Sequence, residues 1–189
     1  LDAERIRQPD ARIPGVSFQT LLHTLIDQAR DPLFGLHTSE FVQPGSYNVM
    51  GYIAMSASTL QEALSKVSLY EKVVGDMGTT DTQVTDNQAA IRWQCRYVQQ
   101  PARQHLIDNV LGSWVRYARW LTGNEKLAPA QVWLEHPRPR AALVEEYQRV
   151  FLCEVRFAQP CSALIGPPDL LQQPIRQPAP LLLSTLEAH

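Results

Sequence analysis

The side chains best equipped for chemistry gather between Pro101 and Gly123. His105, Asp108, Asn109, Gly112, Arg116 and Arg119 recur there at helical spacing. On the outward side of a helix they could wall a ligand site, with the Arg116 guanidinium free to fork a carboxylate. A solvated helix face with an N-terminal histidine is the plainer account of the same residues. A metal pair built on His105 would need its second ligand at i+4, where Asn109 stands. A neutral amide is a poor zinc donor, so no metal is expected.

The other reactive types give less. Cys95, Cys153 and Cys161 form an odd set without C-x-x-C spacing. Small core residues describe them better than nucleophiles, and their number fits a reducing cytoplasm rather than a disulfide framework. Glu145 and Glu146 are adjacent and so project about 100° apart on a helix, which does not suit paired-carboxylate catalysis. No H-E-x-x-H, G-x-S-x-G, P-loop or G-x-G-x-x-G motif occurs. No catalytic residue and no cofactor are expected.

Aromatic residues are more suggestive. Trp93 and Tyr97 share one face of an alternating segment, Ile91-Arg92-Trp93-Gln94-Cys95-Arg96-Tyr97, which reads as a half-buried strand. Trp114 and Tyr117 lie on the long helical segment after Pro101. If that helix covers that strand face, aromatic walls line the space between, the usual form of a small-molecule site. A filled core is the competing and plainer expectation.

The elements that position these residues can be read in order. Residues 1–16 are a polar lead-in. Ser17 caps an apolar run from Phe18 to Ala29, and Asp31-Pro32 stops it. Pro44-Gly45 signals a type II turn. Thr59 and Glu62 have capping-box spacing before a helix over about 59–74. The strand at 89–97 precedes the strongest helix, about 102–122, with Gly123 placed as its C-terminal glycine. A strand at 131–136, a helix at 143–151 and a hairpin of 155–157 with 163–165 follow. The fold class is α+β: helices packed on a mostly antiparallel sheet, in one domain.

Composition bounds the rest. The 189 residues include 17 basic and 19 acidic side chains, a formal charge of −2, which argues against a chain that grips nucleic acid by itself. No run approaches the roughly 20 apolar residues of a membrane span. The chain opens at Leu1 without a secretory segment and reads as a trimmed fragment. Five prolines from Pro167 to Pro180, then an apolar turn from Leu181 to Leu186, suggest a linker entering a helix.

The order of short motifs resembles the N-terminal effector domain of AraC/XylS-type transcription regulators, in the branch typified by the ornithine-utilisation regulator. Asp31-Pro32-Leu33-Phe34-Gly35-Leu36 resembles that family's D-P-x-F-G-L segment. Pro44-Gly45 with Gly51-Tyr52 resembles its P-G … L-G-Y stretch, and Thr59-Leu60-Gln61-Glu62-Ala63-Leu64 its T-L-x-E-A-L helix start. His136-Pro137, Glu146-Tyr147 and Phe151 resemble H-x-x-P … E-Y … F, and Val155-Arg156-Phe157 resembles V-x-F. The similarity runs from about residue 5 to residue 186. Leu152-Cys153 departs from it, standing where these proteins commonly carry a glycine-containing turn, so a local change of backbone is expected there.

The resemblance implies an effector-binding and homodimerising domain over 1–166. Residues 167–189 would then lead to a helix-turn-helix domain absent from this chain, through which alone DNA is reached. The expected partner is a small-molecule effector, in a cytoplasmic bacterial protein without membrane contact. The expected ligand residues are Trp93, Tyr97, Trp114 and Tyr117 as walls, with His105 or Arg116 as polar anchor. A purely structural dimerisation domain and an enzyme of unrecognised type are the competing readings.

Overall fold

Local signals account for most element boundaries in the computed structural model, which describes residues 4, 7, 8, 11–47 and 49–176. Helix α1 (Gly15–Ala29) ends as Arg30 turns left-handed at φ 50°, and Asp31 accepts a hydrogen bond from the Leu33 amide at 2.9 Å. After α2 (Phe34–Thr38) and α3 (Val49–Ser56) comes α4 (Leu60–Val74). Thr59 caps α4 by accepting from the Glu62 amide, while the Glu62 carboxylate reaches one residue farther back, to the Ser58 amide at 2.7 Å. Helix α5 (Ala102–Thr122) closes on Gly123 at φ 68°.

Two local expectations fail. Ser17 lies inside α1, which starts earlier, at Gly15 behind Pro14, and has no side-chain cap. Pro44-Gly45 opens a 3-10 turn (Pro44–Tyr47) rather than a type II turn, and Gly123 is the glycine with positive φ among the described residues. The Ser46 hydroxyl accepts from the Gln43 amide and so favours the tighter winding.

The strands are β1 (Gly78–Val84), β2 (Ala89–Cys95), β3 (Gln131–Trp133), β4 (Glu154–Arg156) and β5 (Ala163–Gly166), with α6 (Ala141–Phe151) between β3 and β4. The sheet order is β1-β2-β5-β3-β4. All pairs are antiparallel except β3 with β4. The expected hairpin of 155–157 with 163–165 therefore does not form, because β3 lies between them. Parallel strands need a long crossover, and α6 supplies it as a β-α-β unit. The turn at Ala158-Gln159 instead bonds back to His136 and Leu134.

Trp93, Cys95, Tyr97, Val132, Val155 and Leu164 join the main core beneath α5, so the alternation in β2 resolves as expected. The polar face of α5 does not. His105, Asp108, Gly112 and Arg119 are buried, and Arg116 alone of the larger group stands at the surface. The sheet covers one side of α5, and α2 with the turn Ser39–Phe41 covers the other. That second contact is close: a Cβ on Gly35 would collide with the His105 carbonyl, and one on Gly112 with the Ser39 side chain. The motif glycine Gly35 is thus required by helix approach rather than by a turn.

The chain does not leave the domain at residue 166. Pro168–Gln172 forms a 3-10 turn, Leu171 and Ile175 are buried, and Ile175 and Arg176 donate backbone hydrogen bonds to Ser58 and Leu121. The helix expected from 181 to 186 lies outside the described residues.

At Leu152-Cys153, where the family's glycine-containing turn is replaced, helix α6 still ends on a left-handed residue. Leu152 takes the left-handed conformation itself, at φ 59°, as the C-cap of α6 and with a half-exposed side chain. A non-glycine residue is strained there by about 1–2 kcal/mol, offset in part by glycine's larger unfolded-state entropy. Leu152→Gly should therefore raise stability by about 0.5–1 kcal/mol in urea titration. An unchanged or lower midpoint would show that the leucine side chain contributes more than the strain removes.

Candidate functional site

A cavity of about 150 Å3 opens between α5 and the β2–β5 end of the sheet. Trp114, Val115, Tyr117, Ala118 and Leu121 form its α5 wall. Ala89, Ile91, Leu164 and Ile165 form the sheet floor, while α3 and α4 contribute Met50, Gly51, Ala54, Leu60, Ala63 and Leu64. The loop 127–129 and the exit segment, through Pro167, Leu170 and Leu171, complete it. Small side chains leave the space: Gly51 and Ala54 are one turn apart on α3, facing Ala63 and Ala118.

Its polar groups are few. The Tyr117 hydroxyl donates to the Gly51 carbonyl at 2.7 Å, and its ring lies 5.2 Å from Tyr47 and stacks on Trp120 at 5.7 Å. The Tyr47 hydroxyl is sealed from water with no well-formed hydrogen bond, the Ser113 hydroxyl being the polar group near it. Burial raises both tyrosine pKa values, so both phenols stay neutral.

The expected ligand residues separate. Trp114 and Tyr117 line the cavity. Trp93 lies in the core over Gly78, and Tyr97 packs against Phe18 of α1 at 6.3 Å, so both are outside its walls. His105 borders a different groove, between α1 and α5, with its Nδ1 accepting from the Gly35 amide at 3.2 Å. Burial depresses its pKa, only partly offset by the Asp108 charge, and keeps the ring neutral. Arg116 points to solvent and pairs with Glu125 at 3.0 Å. The walls from α3, α4 and the exit segment had only one sequence signal, the recurrence of small residues on helical faces.

A second cluster has the composition of a catalytic relay. Asp108 accepts from Tyr147 at 2.7 Å and contacts His136 Nε2 at 2.9 Å. These side chains are nevertheless sealed, His136 at 2% exposure and Asp108 at 0%, so a substrate has no path to them. Their arrangement joins α5, the segment after β3, and α6. Cys153 is equally unsuited to attack, since burial pushes its thiol up to about 11. Among the described residues no group of three or more metal-binding side chains occurs, and no helix is long and apolar enough to cross a membrane.

Burial alone would lower the His136 pKa, but the hydrogen bond and charge of Asp108, with the Pro137 carbonyl, raise it above 6.5. A raised folded-state pKa stabilises fully below the unfolded value and is lost as pH climbs through the folded one. The stability difference between wild type and His136→Gln should therefore shrink as pH rises from about 6 to 9. A constant difference would mean that the ring carries no proton in the fold. Asp108→Ala, which orphans its partners, should cost about 3–5 kcal/mol.

Comparison with known proteins places this architecture. Residues 1–175 match the family described as the arabinose-binding domain of AraC transcription regulators, N-terminal. The chain is 23% identical over 191 residues to the ornithine utilization regulator of Pseudomonas aeruginosa, covering 98% of this chain and 56% of that protein. Its fold matches the crystal structure of the transcriptional regulator CdpR from Pseudomonas aeruginosa with a TM-score of 0.75 at 20% identity. That match covers 98% of this chain and 59% of the other. The chain thus spans little more than half the length of either relative. By its sequence match along nearly its whole length, it belongs to the family of N-terminal arabinose-binding domains of AraC-type transcription regulators.

Proposed function

We propose that this chain is the effector-sensing half of a one-component transcription regulator, and that the effector occupies the cavity beside Trp114 and Tyr117. The observation that carries this reading is the shared wall. Pro167, Leu170 and Leu171 line the cavity, and Ile175 and Arg176 are fastened to Ser58, just before α4, and to Leu121 of α5 by backbone hydrogen bonds. A ligand touching that segment biases how the chain leaves the domain. In a regulator, that exit leads to the DNA-binding part, and differential binding to two exit geometries is the coupling needed.

Energetics supports the same reading. Apolar lining left facing water costs free energy that cover by a ligand would recover. A purely structural dimerisation domain gains nothing from that cost, whereas a receptor recovers it on binding. An enzymatic role has no support in the sealed Asp108 cluster. The reading includes a homodimer in the cytoplasm, since paired DNA-binding modules read paired half-sites.

Hydrogen–deuterium exchange on the chain with a stabilising compound tests the coupling. Exchange should slow in α3, the start of α4 and residues 167–176, and stay unchanged in the edge strand β1. A bound compound that leaves 167–176 unprotected would overturn the reading.

A further inference from the structure

We infer that the cavity selects an uncharged, largely apolar molecule of about the size of one aromatic ring, and excludes ornithine and other amino acids. This rests on the cavity being the effector site. Among the described residues the lining contains no Asp, Glu, Lys, Arg or His. Two cations on the cavity half of α5 are already engaged. Arg119 gives Nε to Leu127, Nη1 to Val150 and Nη2 to Phe151, all backbone carbonyls, and Arg116 is held outside by Glu125.

Ornithine carries a carboxylate and two ammonium groups at neutral pH. Burying them without counter-charges or hydrogen bonds costs far more than the apolar part of so small a molecule returns. A benzoate-like anion meets the same obstacle. The Tyr117 hydroxyl, after donating to Gly51, can still accept one hydrogen bond, so a single neutral hydroxyl is tolerated. The volume of about 150 Å3 is enough to hold a benzene-sized guest. The 23% relationship to a protein named for ornithine utilisation therefore does not carry ornithine chemistry into this cavity.

Toluene, p-cresol, benzoate and L-ornithine form the test set, with thermal shift and tryptophan fluorescence as readouts on the whole chain. Toluene and p-cresol should raise the melting temperature and perturb the emission of Trp114, a response absent in Trp114→Phe. Benzoate and L-ornithine should do neither. Ala118→Leu, which fills the cavity, should weaken toluene by about tenfold or more, with Ala54→Val as the second filling variant should the first fold poorly.

Stabilisation by L-ornithine or benzoate that a filling variant abolishes would overturn the charge exclusion while leaving the cavity as the sensor site. Stabilisation by toluene that persists equally in both filling variants would remove the cavity itself from the sensing role. Failure of both neutral probes to bind would overturn the proposed ligand class.

Discussion

Helix α5 is buried on two opposite sides, and each polar group on those sides must find its partner inside the protein. Water cannot satisfy them there, so the neighbouring elements must. His105 takes the amide of Gly35 in α2, and Asp108 takes His136 and Tyr147. Tyr117 reaches α3, and Arg119 binds the last carbonyls of α6, which a helix end leaves without partners. These bonds run to α2, α3, α6 and the segment after β3, so the layers are registered on this one helix.

The same constraint explains where the open space lies. Toward its N-terminal end α5 is approached closely by α2 at Gly35, with a groove against α1 beside His105, and the core beneath it on the sheet side is filled by Trp93 and Cys95. Toward its C-terminal end the facing residues are small, and the sheet floor is formed by the short β5 and the start of β2. A rigid spine beside an underfilled end suits the proposed receptor, in which the polar bonds would hold the frame while the cavity and the exit segment respond.

Only a small part of the candidate site was legible from residue types. Trp114 and Tyr117 follow from aromatic residues on a helix above a strand. Trp93 and Tyr97 follow from the same argument yet belong to packed core, because aromatic density marks burial without distinguishing filled from empty space. The spacing of His105, Asp108, Gly112 and Arg119 describes a polar face correctly. It says nothing of the second layer that covers that face, since α2 arrives from 70 residues away in sequence.

Helices α1, α4, α5 and α6, the alternation in β2, the capping of α4 and the family were all determined by the sequence itself. Each rests on contacts among residues within a few turns, or on motifs in a fixed order. The strand order with β3 between β4 and β5, the burial of the polar face of α5 and the volume beside Trp114 were decided only in the tertiary structure. Those features depend on which distant surfaces meet and how completely they fill the space between them, and local periodicity does not encode either.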